Sequence, residues 1–257
     1  MSTYDVNIPV WELVRGHASR ARVLAGFGID YCCGGRTPLK EACRKRGIEV
    51  EEVVRALEAS DDSQPAADQI DWSGESMTRL ANHIVSRHHV YLREVLPQLG
   101  ALLDEVVSKH ADKHPNLVEL RDVYTTMWNE LLSHMMKEEV VLFPFIRSLD
   151  QAMESGRPLP HFHCGSVTAP IHVMEDEHES AGEALRRLRE LTFGFRPPKD
   201  ACHAYRVLMI GLRELESDLH LHIHKENNIL FPRAAAVEAS PSATTAESCF
   251  TPHPSTI

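Results

Sequence analysis

No apolar run in these 257 residues approaches the roughly 18 that would suggest a membrane-spanning helix. The opening MSTYDVNIPVWELV lacks the basic stretch followed by an apolar one that marks a secretory leader. The expectation is a cytoplasmic protein with no membrane partner. Positive charge is also short: 27 Lys and Arg stand against 37 Asp and Glu, a net charge of −10. The basic residues are scattered among acids, which disfavours nucleic-acid binding. Six cysteines, Cys32, Cys33, Cys43, Cys164, Cys202 and Cys249, are expected to be thiols in that compartment and do not read as a disulfide framework.

What the chain has instead is histidine, 16 of them, an unusual share lying beside Glu and Asp on segments with helical periodicity. Histidine is the commonest metal-ligand side chain.

Hydrophobic spacing predicts an all-α protein. Residues 1–59 read as a small helical unit with apolar positions at Val10, Leu13, Val14, Ala21, Val23 and Leu24. Glycines then break it at Gly26, Gly28 and Gly34-Gly35. A second helix starts at Thr37-Pro38, with Thr37 as N-cap, and Val50 to Leu57 supply a third. Residues 60–73 read as a polar linker. From 74 to 239 four long helical patterns, roughly 75–109, 116–147, 168–192 and 200–237, predict an antiparallel four-helix bundle. Residues 148–167 form a long Gly- and Pro-rich loop, and 240–257 have the composition of a disordered tail.

Two segments of the bundle share one spelling: HMMKEEVVLFPFI from His134 and HIHKENNILFPRA from His222. His134 to His222 and Glu138 to Glu226 are both offsets of 88, and His89 and His178 lie 45 and 44 residues before the His of each segment. The bundle is therefore two related hairpins. On a helix, positions i and i+4 face the same way, so each His-x-x-x-Glu aims an imidazole and a carboxylate at one point. Four imidazoles and two carboxylates are too much polarity to bury without a metal. Two ions bridged by both carboxylates, each with two histidines and with an oxo or hydroxo bridge, would satisfy the set. Mixed imidazole and carboxylate ligation favours iron or manganese over zinc, and the lack of thiolates disfavours copper(I). Non-haem di-iron is the leading assignment. A lone His four residues before a Glu is more often a solvated pair, but two in a shared frame with matched histidines are not. Leu142-Phe143-Pro144 and Leu230-Phe231-Pro232 read as structural, packing and kinking each helix beyond the metal.

Taken together, IDYCCGG, LKEAC, HHVYLREVLP, KHADKHPNL, LLSHMMKEEVVLFP, MEDEH and HIHKENNILFPRA resemble the hemerythrin-like di-iron proteins called repair of iron centres proteins, with their ScdA-type N-terminal domain. The likeness runs from Val10 to about Ala235. It implies a hemerythrin-like bundle and the ligands His89, His134, Glu138, His178, His222 and Glu226, choosing His89 over His88. It further implies restoration of iron–sulfur clusters damaged by nitric oxide or oxidants, nitric oxide or oxygen as small ligands, and proteins with damaged clusters as partners. A reversible carrier or sensor, or a nitric oxide reductase, would use the same residues. The N-terminal cysteine pair, which a carrier does not need, favours repair. A homodimer is compatible with the sequence.

Cys32 and Cys33 precede two glycines, a setting suited to transient redox or thiolate-to-metal contact. From the residues alone, function and simple burial weigh equally; the resemblance tips the balance to function, with Cys43 and Cys202 as core thiols. Glu130, one turn before His134, and Glu177, beside His178, are read either as hydrogen-bond partners of ligands or as solvated charge. His161, His163 and Cys164 read as solvated loop residues, and His110, His114 and His224 as weaker candidates still.

Overall fold

In a computed structural model of the chain the described residues are 4–15, 17–61, 70–162 and 165–240, and they are mostly helical. Four short helices come first: α1 (Val10–Val14), α2 (Ala18–Gly26), α3 (Leu39–Arg46) and α4 (Val50–Asp61). Pro38, not Thr37, occupies the cap position of α3 and no side chain caps it. The Gly34-Gly35 break has a steric cause, since a Cβ on Gly35 would strike the Tyr31 carbonyl and sit 2.9 Å from Trp11 Cβ.

The bundle follows. α5 (Met77–His83) passes through a π turn, Ile84–His89, into α6 (Val90–His110). α7 (Asn116–Lys137) passes through a π turn, Glu138–Leu142, into α8 (Phe143–Ser155). α9 (Thr168–Leu191) is unbroken, and α10 (His203–Lys225) passes through a third π turn, Glu226–Leu230, into α11 (Phe231–Glu238). The second helix thus runs to Ser155 rather than 147. Pro144 falls in the first turn of α8, where a missing N–H costs little, and Gly156 ends the helix with φ 60°. The 148–167 loop shrinks accordingly. Part of the expected 60–73 linker is structured: α4 reaches Asp61 and Trp72–Gly74 form a 3-10 turn. Residues 62–69, and all of the expected tail except Ser240, lie outside the described residues.

The interior is two apolar layers. One joins the N-terminal helices (Val10, Leu24, Tyr31, Leu39, Leu57) to Leu92–Val107 of α6, Leu117–Met135 of α7 and Leu208–Ile223 of α10. The other gathers Met77, Leu80, Ile84, Leu142, Phe143, Ile171, Leu230 and Phe231. On all four long helices the stretch between the layers carries the predicted His and Glu positions. No helix among the described residues is long and apolar enough to cross a membrane.

Candidate metal centre

Each long helix delivers one imidazole to the middle of the bundle. His89 closes the first π turn, while Glu138 and Glu226 open the second and third, one helical turn after His134 and His222. A π turn inserts one residue into the i→i−4 ladder and is common at functional sites. His89, Glu138, His222 and Glu226 are fully buried, and His134 and His178 are 2% and 1% exposed.

The ligating atoms form two overlapping sets, each within 4.8 Å: His89, Glu138, His222 and Glu226; and His134, Glu138, His178 and Glu226. Both carboxylates belong to both sets. His89 Nε2 lies 3.2 Å from His222 Nε2, and His134 Nε2 lies 3.0 Å from His178 Nε2. Glu226 places Oε1 2.9 Å from His222 Nε2 and Oε2 3.1 Å from His178 Nε2. Glu138 Oε2 stands 3.3 Å from His89 Nε2 and 3.4 Å from His134 Nε2.

Both oxygens of Glu138 and Oε2 of Glu226 make no hydrogen bond although fully buried. Orphaned carboxylate oxygens converging with four imidazole nitrogens are what a cation would satisfy, so the residues fit a metal centre. Electrostatics agree. Burial alone would raise the Glu138 carboxyl, but His134 and His89 hold it well below the usual range. Burial and Glu138 raise Glu226, yet its histidines bring it to about 2. Burial opposes protonation of His134, but Glu138 lifts it to about 9. Positive charge is thus favoured between the two carboxylates.

Around this set lies a ring of acceptors that fix imidazole orientation. His89 Nδ1 is 2.7 Å from Glu139 Oε1, which is also held by Arg93 at 2.7 Å. His134 Nδ1 is 2.9 Å from Glu177 Oε2, and Lys137 pairs with the same carboxylate. His178 Nδ1 is 2.7 Å from Asn227 Oδ1. Of the two sequence candidates, Glu177 therefore touches His134, while Glu130 is exposed on α7 and makes no hydrogen bond to His134. Glu139 and Asn227 escaped sequence reasoning. Their signal was present: each directly follows a carboxylate of the repeat.

The Leu-Phe-Pro matches act more directly than as kinks. Phe143 stacks on His89 and Phe231 on His178, at 5.8 and 6.0 Å between ring centroids.

Cys32 is buried and Cys33 half-buried, their sulfurs 3.8 Å apart. Asp30 Oδ1 accepts from the Cys32 thiol at 3.2 Å and from both cysteine amides. Hydrogen bonding to Cys33, and then burial, push the Cys32 thiol well up. Cys33 Sγ comes 3.6 Å from the carbonyl of His178, and both cysteines line a cleft of about 490 Å³ that also reaches Asn227. The pair therefore lies beside the His134/His178 half of the centre. Asn228 ties it there, donating to the carbonyl oxygens of Tyr31 and Cys32 at 3.4 and 3.2 Å.

The weaker candidates lie elsewhere. His224 is buried against Tyr31 and Asn228. His110 packs on Tyr205, and His114 meets Asp200 at 3.1 Å. His161 is exposed, while His163, Cys164 and Cys249 fall outside the described residues. Cys43 is buried and Cys202 half-buried against the first apolar layer.

Comparison with known proteins gives two family matches. Residues 80–234 match the hemerythrin HHE cation binding domain, and residues 6–61 match ScdA_N, described as a domain of unknown function. The iron-sulfur cluster repair protein YtfE of Pectobacterium carotovorum is 39% identical over 223 residues, covering 87% of this chain and 94% of that protein. Its namesake in Escherichia coli O8 is 37% identical over 230 residues, covering 90% and 97%. That of Enterobacter sp. is 37% identical over 232 residues, with the same coverage of 90% and 97%.

Proposed function

The chain belongs to the hemerythrin HHE cation-binding family and to the iron–sulfur cluster repair proteins within it, and on that premise we propose that it is a di-iron protein that repairs damaged iron–sulfur clusters. One observation supports the metal count above others: Glu138 and Glu226 each belong to both candidate sets, so each carboxylate would serve two ions. His89 and His222 would hold one iron, His134 and His178 the other. Bound there, iron would supply a redox change and an open position for nitric oxide or oxygen.

The chain's own residues do the rest. Glu139, Glu177 and Asn227 hold three of the imidazoles with the Nδ1 proton outward, leaving Nε2 free to ligate. Phe143 and Phe231, both buried, cover the His89 and His178 rings on the second-layer side. Cys33 sits in the cleft beside the centre, where a client's damaged cluster can meet a thiol. Cys32, buried and with its thiol pushed well up, is the less reactive of the pair.

The test is the metal content of the purified protein with Mössbauer spectroscopy, followed by anaerobic mixing of the diferrous form with nitric oxide and a cluster-reactivation assay. Two antiferromagnetically coupled irons per chain and reactivation of a nitric oxide-damaged cluster are expected. A single ion, or zinc after growth in ample iron, defeats the metal reading. Reversible nitric oxide or oxygen binding without reactivation makes the protein a carrier or sensor, and catalytic nitrous oxide release makes it a reductase.

A further inference from the structure

We propose that the two metal positions are unequal and that the ion between His89 and His222 leaves first, because His222 alone among the four imidazoles has no acceptor for its Nδ1 proton. The inference rests on the two-iron reading above and concerns which iron is released.

The internal repeat supplies the control. The two hairpins are related by a near-constant offset: His89 corresponds to His178, His134 to His222, and Glu138 to Glu226. Two outer contacts obey that symmetry. Glu139, after the first carboxylate, accepts from His89, and Asn227, after the second, accepts from His178. The third contact breaks it. Glu177, the residue before His178, accepts from His134 across the bundle at 2.9 Å. Its counterpart, the residue before His89, is His88, and this residue faces His222. It faces it as a ring, the planes 6° from parallel and the centroids 5.4 Å apart.

His88 is not free to turn and accept. Lys225 Nζ lies 2.9 Å from His88 Nε2, and Asp218 Oδ2 lies 3.0 Å from Nδ1. An ammonium can only donate, so Nε2 accepts and the proton of His88 goes to Asp218. Both nitrogens are committed at the edge of the ring while its face lies on His222. His222 is thereby held in place, but nothing takes its proton, and its Nδ1 is a buried nitrogen without a hydrogen bond.

The consequence follows from imidazole chemistry. A neutral imidazole that ligates through Nε2 must carry its proton on Nδ1. Where a carboxylate or carbonyl accepts that proton, the ring is a stronger donor to the metal. Where none does, the ring is weaker and an unpaired donor stays buried. Loss of one such partner typically costs 10- to 100-fold in metal affinity. The His134/His178 half has both acceptors and the His89/His222 half has one.

Release of ferrous iron from the anaerobic diferrous protein into excess bidentate chelator tests this. Two phases of equal amplitude are expected, with rates about 10-fold or more apart. Glu139→Gln, which weakens the partner of His89, should quicken the fast phase only. Glu177→His should recreate the orphan in the other half and bring the slow phase toward the fast one. His88→Glu should supply the missing acceptor and slow the fast phase. Should His88→Glu not fold, Glu177→His still decides. A single phase releasing both irons from the parent overturns the proposal, as does Glu177→His acting on the fast phase alone. A parent that never holds two ions sinks the two-iron reading itself, a result distinct from two ions leaving together.

Discussion

Phe143 lies against His89 with the two rings 17° from parallel, and 88 residues later Phe231 meets His178 at 6°. The Leu-Phe-Pro repeat is therefore tied to the candidate metal centre through ring contacts with His89 and His178. Phe143→Ala should cost about 3–5 kcal/mol of stability, the usual range for a buried Phe. It should also loosen the metal by freeing His89, whereas Phe143→Leu keeps most of the stability. Thermal melts with iron retention through a desalting column check both; normal retention in Phe143→Ala would refute the coupling.

If both carboxylates bridge, neither belongs to one ion. Glu138→Ala and Glu226→Ala should therefore have matching effects, each depleting both positions, while loss of a single His is milder and more local. Iron counts per chain across the variants decide it. Parent-level retention in both Glu variants would remove them from the ligand set.

The two cysteines differ in access. Cys32 is 4% exposed with a thiol pushed well up, while Cys33 is half-buried and lines the cleft. Iodoacetamide at neutral pH should label Cys33 first, as read by peptide mass spectrometry. Equal labelling would mean that the loop opens readily.

Replacing both with Ser should leave iron content intact, since neither thiol is in either His/Glu set. Cluster reactivation should fall severalfold. Repair at the parent rate would make the thiols packing residues; loss of iron would mean that the ligand set is incomplete.

Asn228→Ala removes the amide that holds the Tyr31 and Cys32 carbonyls. A loss of about 1 kcal/mol is expected. Hydrogen exchange at residues 31–34 should quicken while the metal stays. Unchanged exchange would show that the glycines, and not Asn228, set the loop.

The helices and the converging side chains were legible in the sequence because helical period and a repeated frame determine where a side chain points, although choosing His89 over the adjacent His88 took the family resemblance. The π turns were not. An i→i+5 bond leaves no compositional mark, and hydrophobic periodicity tolerates one extra residue. Glu130, one regular turn of α7 before His134, proves exposed, and the acceptor for His134 comes instead from Glu177 on α9. The acceptors at Glu139 and Asn227 depend on pairings across helices, which a one-dimensional pattern records only if the two copies are laid side by side. The second helix ran past 147 to Ser155, with Pro144 taken up in the first turn of α8 directly after the π turn.

The N-terminal helices share one apolar layer with the bundle: Leu24, Tyr31 and Cys32 belong to the same cluster as Leu215, Leu219 and Ile223. Burial shared in this way couples the N-terminal helices to the bundle half that contains α10. The segment bearing the thiols cannot swing away as a tethered arm without stripping α10 of its cover. On the proposed reading, a damaged client would then come to the cleft rather than the thiols reaching out to it. Heating should melt both parts in one transition.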